Sequence, residues 1–177
     1  QVALSACIPG FYTSWKTFRP LAKDCSRIIA LNVDEKRRLE ALFPQVKSKL
    51  SIIPNGININ FSSATPVLFR EHVGFRSDDR YVLNVAIFCK RTNQLNLIRA
   101  AKGMRWKLVL VGPFDDSAYS KQCLREAAEL DNVTITGAFP YGSELLHSAY
   151  SGADVFCLPS YSEVQPLTLI EAAASGC

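Results

Sequence analysis

Histidine is scarce in this chain of 177 residues, with only His72 and His147, and the six cysteines (Cys7, Cys25, Cys89, Cys123, Cys157 and Cys177) lie far apart without a C-x-x-C pair. So few histidines and such scattered thiols argue against a zinc site, which needs three or four ligands at short, regular spacings. Cys89 and Cys157 fall in or beside apolar strand runs, where a free thiol serves as a small buried hydrophobe. Unpaired cysteines of this kind suit a reducing, cytosolic compartment. The longest apolar runs are strand-sized, too short for a membrane-spanning helix, and Gln1–Leu4 has neither the charged start nor the apolar middle of a signal peptide. Neither G-x-G-x-x-G nor G-x-x-x-x-G-K-[ST] occurs, which disfavours a dinucleotide oxidoreductase and a P-loop ATPase. Charge of one sign is also missing: 20 Lys and Arg against 16 Asp and Glu leave a formal net +4, spread along the chain, too mild and too scattered for a nucleic-acid partner. There is no internal repeat and no low-complexity stretch.

What the chain does have is apolar residues, 48% of the total, enough for the core of one domain or of one domain and part of a second. From Arg27 onward, strand and helix patterns alternate. Arg27–Leu31 reads as a strand, and Asn32 with Glu35 forms a capping box for a helix through Leu42. Leu50–Ile53 is a second strand, halted by the turn signal Pro54-Asn55-Gly56. A polar linker over 58–66 leads to a short helix, Val67–Val73, stopped at Gly74. Strands then follow over Tyr81–Ile87, Trp106–Val111, Val133–Thr136 and Val155–Leu158. Helices follow over Asn93–Ala101, Ser117–Leu130, Glu144–Tyr150 and Pro166–Ala174. Such alternation with short connections predicts an α/β fold, a parallel sheet covered by helices on both faces. The composition break at Pro54–Pro66 is the best boundary, dividing the chain into 1–58 and 59–177; a single flavodoxin-like domain is the alternative.

The most informative stretch runs from Ala153-Asp154-Val155 through Pro159-Ser160 to Glu163 and on to Glu171-Ala172. It compresses a buried strand, a tight loop and a helix start into twenty residues, with a carboxylate on either side of Pro166, which is well placed at a helix start. A ligand would sit at the carboxyl end of that strand, facing the amino end of that helix. Glu163 and Glu171 match the E-x7-E signature of retaining glycosyltransferases with the GT-B fold, specifically glycosyltransferase family 4 (group 1). Other blocks fall in the same order: Ile52-Ile53-Pro54-Asn55-Gly56-Ile57, Leu108-Val109-Leu110-Val111-Gly112, Val133-Thr134-Ile135-Thr136-Gly137, and Leu145–Tyr150 leading into Ala153-Asp154-Val155. Together they cover about 26–177, and the ordered set makes the chain resemble this family. The chain lacks an initiator Met and ends at Gly176-Cys177, where the family continues into another strand. It therefore reads as a fragment: the end of an amino-terminal acceptor domain with the hinge (1–58), then most of a Rossmann-like nucleotide-sugar-binding domain (59–177).

The resemblance implies roles for individual residues. Glu171 would accept hydrogen bonds from ribose hydroxyls, and Glu163, the catalytic candidate, from the donor sugar. Gln165 and the amides at Leu167 and Thr168 would face the donor, a phosphate at a helix start being favoured by unpaired N–H groups and the helix dipole. Gly112 and Gly137 follow apolar strands, where glycine admits a ligand to the backbone or simply serves a turn. One departure stands out. The family has a Gly-Arg and, a few residues later, a Lys, both aimed at the diphosphate; here those places hold Ala86-Ile87 and Thr92. Lys90 and Arg91, just before Thr92, either replace the missing cations or are solvated loop charges. A hydrolase pair is disfavoured, because eight helical residues would separate the glutamates by roughly 12 Å, against roughly 5 to 9.5 Å between glycosidase carboxylates; the loop before Pro166 could shorten that distance. His147 reads as a packed helix residue, and His72 has no catalytic neighbours.

The implied activity is transfer of a glycosyl group from a nucleotide diphosphate-sugar to a hydroxyl of a glycan, lipid or small-molecule acceptor. No metal and no cofactor are implied, and neither is nucleic acid. The implied location is cytoplasmic, with docking at the inner membrane face left open. A sugar-nucleotide epimerase of the same architecture and a non-catalytic binding domain are the rivals, the second motivated by the missing cations.

Overall fold

The computed structural model describes Pro20, residues 22–57 and residues 64–177. The polar linker of the sequence reading lies mostly outside these residues. The described residues form two compact units. The first holds the residues up to Gly56 together with Ser162–Pro166, and the second holds Ile57–Tyr161 with Leu167–Cys177.

In the first unit, β1 (Ile28–Ala30) pairs in parallel with β2 (Leu50–Ile52), Ile28 opposite Leu50. Between them run α1 (Val33–Leu42) and a 3₁₀ turn over Pro44–Lys49. Their core is Ala22, Ala30, Leu39, Phe43, Val46 and Leu50. Asn32 Oδ1 accepts from the Glu35 N–H at 2.8 Å, which is the cap expected from the sequence. The returning bond differs, because Glu35 Oε2 takes the N–H of Leu31 at 2.6 Å rather than that of Asn32, one residue nearer the end of β1.

The second unit carries α2 (Val67–Val73), β3 (Tyr81–Val85), α3 (Gln94–Ala101), β4 (Lys107–Val111), α4 (Ala118–Ala128), β5 (Val133–Gly137), α5 (Glu144–Gly152), β6 (Val155–Phe156) and α6 (Leu167–Ala174). The four strands form one parallel sheet in the order β5-β4-β3-β6. Tyr81 lies opposite Lys107, Val82 opposite Val155, and Leu108 opposite Val133. Strand parity divides two cores, as the period of two requires. Tyr81, Leu83, Val109 and Val111 pack with Phe69, Leu146, Ala149, Tyr150 and Ala172 on one face. Leu108 and Leu110 pack with Phe88, Leu97, Ile98, Ala101, Cys123 and Ala127 on the other. This is the α/β architecture read from the sequence, a parallel sheet with helices on both faces.

The caps are local and explicit. Gly74 ends α2 in the left-handed conformation at φ 69°. Ser117 and Ser143 cap α4 and α5 by accepting from Ser120 N–H and Leu146 N–H. Asp154 accepts from the Tyr81 N–H at 2.9 Å, tying the Ala-Asp-Val turn to the first residue of β3.

Candidate functional site

The strand order places β3 at a reversal. The chain steps outward from β3 to β4 to β5, then crosses back to lay β6 on the other side of β3. In open parallel sheets such a reversal opens a crevice beyond the carboxyl ends of the two strands. The loops after β3 and β6 meet there. Cys157 N–H donates to Leu83 O at 2.8 Å, and Tyr161 N–H to Arg91 O at 2.9 Å. Asn84 Nδ2 donates to Cys157 O at 2.7 Å, and Asn93 Nδ2 to Pro159 O at 3.1 Å. Asn84 Oδ1 and Ser160 Oγ are buried at this edge without a hydrogen-bond partner among the described residues.

Lys90 and Arg91 sit in the first of these loops, Lys90 exposed and Arg91 half-buried. The position of the family's Lys is taken by Thr92, only 2% exposed. Its hydroxyl lies 2.7 Å from Ile87 O, 2.9 Å from Cys89 O and 2.8 Å from Gln94 Oε1. Gln94, fully buried, donates from Nε2 to Ile87 O at 2.9 Å. A neutral pair thus closes the loop at the place where the resemblance implies a cation. Ile87, at the place of the family's Arg, is 54% exposed. Burial pushes the Cys89 thiol up, but hydrogen bonds from the Thr92 hydroxyl and backbone outweigh that and hold it below the ordinary cysteine range.

Gly112 and Gly137 lie at the carboxyl ends of β4 and β5, joined by Gly112 N–H to Gly137 O at 2.9 Å. Their reasons for being glycine differ. A Cβ on Gly112 would stand 2.0 Å from Ala86 O, so the neighbouring strand end demands glycine there. Gly137 faces open space but holds φ at +80°, a conformation L side chains rarely adopt.

On α6, Leu167 and Thr168 form the first turn and Glu171 follows one turn later. Glu171 is 3% exposed, and its Oε2 accepts from the Tyr150 hydroxyl of α5 at 2.7 Å. Burial, followed by this bond, pushes the Tyr150 phenol far above its ordinary value, so it stays a donor.

Glu163 and Gln165 belong to the first unit. Gln165 Oε1 accepts from Asn55 N–H at 2.7 Å while Asn55 Nδ2 donates to Gln165 O at 2.9 Å, a reciprocal clasp on the Pro54-Asn55-Gly56 turn. Asn32 Nδ2 donates to Val164 O at 2.9 Å. Glu163 lines a cleft of about 170 Å³ with Asn32, Asp34, Glu35, Arg38, Ser162 and Val164. Sequence reasoning assigned Asn32 and Glu35 to capping alone and missed Asp34 and Arg38. Their spacing on α1 was the available signal, but nothing local ties α1 to residues 130 positions away. Among the described residues no cluster of three or more His, Cys, Asp or Glu could hold a metal. None of their helices is long and apolar enough to cross a membrane.

With loops gathered at the reversal of a parallel sheet and the E-x7-E passage leading into α6, the fold is that of a glycosyltransferase domain of the GT-B type. The family model "Glycosyl transferases group 1" matches residues 68–177, and the chain belongs to that family. It is 28% identical over 185 residues to the putative glycosyltransferase EpsF of Bacillus subtilis, with 93% of this chain and 47% of that protein covered. Among solved structures it is similar to sucrose-phosphate synthase from Thermosynechococcus elongatus, at TM-score 0.76 and 26% identity, covering 91% of this chain and 41% of that one. Anabaena HepE, solved in complex with UDP-glucose, shares the fold at TM-score 0.75 and 19% identity, with 92% of this chain and 47% of that one covered. The chain spans under half the length of the curated relatives it matches, between 36% and 47%.

Proposed function

We propose that the protein of which this chain is part is a retaining glycosyltransferase of family 4, moving a glycosyl group from a nucleotide diphosphate-sugar to an acceptor hydroxyl. In this reading residues 1–58 close the acceptor domain and residues 59–177 form most of the donor domain. The observation that carries it is the buried Glu171 carboxylate on the helix after β6, fixed among the described residues by the Tyr150 hydroxyl. A carboxylate accepts at two oxygens, so Glu171 retains acceptor capacity for a pair of ribose hydroxyls. Glu163, exposed on its cleft, accepts from hydroxyls of the donor sugar. Amides at Leu167 and Thr168, the loops at Gly112 and Gly137, and Gln165 complete the donor contacts. Lys90 and Arg91 meet the leaving diphosphate in place of the absent Arg and Lys. Charge is compensated by side chains and helix amides, so no metal enters the scheme. The acceptor is a glycan, lipid or small molecule, approached in the cytoplasm or at the inner membrane face.

The test is calorimetry on the full-length protein. Replacing Glu171 by Ala should weaken nucleoside diphosphate binding by about tenfold or more, the loss of a hydrogen bond to a charged group. Glu163→Ala should chiefly lower the transfer rate. Equal affinity for wild type and Glu171→Ala would remove the ribose assignment.

The phosphate assignment has its own test. Lys90→Ala with Arg91→Ala should cost affinity for a nucleoside diphosphate far more than for the nucleoside, with the gap narrowing as salt screens the charges. Equal losses for both ligands would leave Lys90 and Arg91 as solvated loop charges.

A further inference from the structure

Tyr150 is fully buried, packs its ring 5.8 Å from that of Phe156 on β6, and gives its hydroxyl to Glu171 Oε2 at 2.7 Å. Among the described residues it is the partner of this carboxylate, and the bond spans from α5 to α6 rather than running along one helix. A buried carboxylate with no donor would be costly and would turn toward whatever donor it could reach. With Oε2 claimed by a rigid aromatic side chain, the carboxylate plane is set and Oε1 is left to accept. We propose that Tyr150 is the positioning residue of the nucleotide site: by holding Oε2 it aims Oε1 at the vicinal hydroxyls of a ribose, making the site selective for ribonucleotides over 2′-deoxyribonucleotides. This inference rests on the donor-binding role given to Glu171 above.

Tyr150→Phe keeps the ring and removes the donor. The quantity that reports positioning is the ratio of Kd for a 2′-deoxyribonucleoside diphosphate to Kd for the ribonucleoside diphosphate, measured by calorimetry on the full-length protein. In wild type this ratio should be about tenfold, the worth of a hydrogen bond to a charged group. It should collapse toward one in Tyr150→Phe, and adding Glu171→Ala should lower it no further. A merely structural tyrosine would lower the melting temperature and weaken both ligands alike, leaving the ratio intact, and that outcome overturns the proposal. If the variant does not fold, the wild type still decides. The Tyr150 hydroxyl proton, buried and bonded, should shift in the NMR spectrum with the ribonucleotide and not with the deoxy analogue; identical shifts overturn the proposal. A wild type that binds the ribonucleotide without preference defeats the role given to Tyr150. A wild type that binds neither ligand defeats the donor-site reading beneath it.

Discussion

At Gly112 a β-carbon would stand 2.0 Å from the Ala86 carbonyl oxygen, whereas at Gly137 nothing lies within 4 Å of one. Two glycines that look alike in sequence, each following an apolar strand, therefore answer to different physics. Gly112→Ala forces backbone against backbone and should destabilise by at least about 2 kcal/mol. Gly137→Ala meets only the left-handed φ and should cost about 1 kcal/mol. Denaturant midpoints at unchanged m-value read both, and equal costs would show that the β3 and β4 ends do not approach so closely. The same contrast separates the two places of the missing cations. Thr92→Lys would strip the loop of its buried hydroxyl and bury an ammonium, at a cost of at least about 2 kcal/mol. Ile87→Arg, at an exposed position, should leave stability within about 0.5 kcal/mol while tightening nucleoside diphosphate binding. A destabilised Ile87→Arg, or a Thr92→Lys as stable as wild type, would contradict this picture of the loop. None of this was legible in the sequence, where Thr92 registered only as a departure, because its partners Ile87, Cys89 and Gln94 are fixed by how the loop folds back.

The elements themselves were legible to within a few residues, and the misses have causes. The sequence pattern carries β3 on to Ile87 because Ala86-Ile87-Phe88 is apolar. The strand stops at Val85 because, although Ala86 and Phe88 still give their N–H groups to Val111 O and Pro113 O, Pro113 has no N–H to return, and the carbonyls of Ala86 and Ile87 accept from Gln94 Nε2 instead. Likewise β6 ends at Phe156, two residues before the apolar run does. Helix ends were easier, since Ser117, Ser143 and Gly74 cap them with their own side chains or backbone. Beside the apolar packing of α3 on α4, an ion pair joins them at the surface: Arg99 grips Glu126 through two bonds of 2.7 Å, and Gln122, on the same helix as Glu126, adds a third at 2.9 Å. The bond from Arg99, then that from Gln122, hold the Glu126 carboxyl down from its ordinary 4.5 to about 2. Asp115 ahead of α4 is likewise held at about 2 by Ser117 and Ser120. Both values are depressed on folding, so their contribution is fully present above the unfolded pKa and is lost as pH falls through the folded value. Melting temperature should therefore fall as pH drops from about 4.5 toward about 2, and Glu126→Gln should flatten that limb. An unchanged slope in the variant would assign acid sensitivity elsewhere.

For the whole molecule, the sequence placed Glu163 and Glu171 in one twenty-residue motif, but their chain segments belong to different units. The chain leaves the second unit at Tyr161, contributes Ser162–Pro166 to the first, and re-enters the second at Leu167. A period-based reading takes that segment for a loop between β6 and α6. Only the folded chain shows Gln165 clasping Asn55 and Val164 bonded to Asn32 across more than a hundred residues. Under the proposed function this division has a chemical consequence. Of the proposed donor contacts, Glu171, the amides of Leu167 and Thr168 and the loops at Lys90, Gly112 and Gly137 lie within the second unit, whereas Glu163 and Gln165 belong to the first, where the cleft at Glu163 is built on α1. Orienting an acceptor and excluding water need a cleft complete on both sides, since a misplaced or solvated acceptor forfeits the gain from proximity. The relatives are more than twice as long as the matched stretch. The 177-residue chain produced alone should therefore bind a nucleoside diphosphate in calorimetry yet release no product from a nucleotide-sugar. The full-length protein in the same assay, with the same acceptors, should transfer. Turnover by the 177-residue chain alone would place the acceptor seat within these residues and overturn the division between acceptor and donor domains.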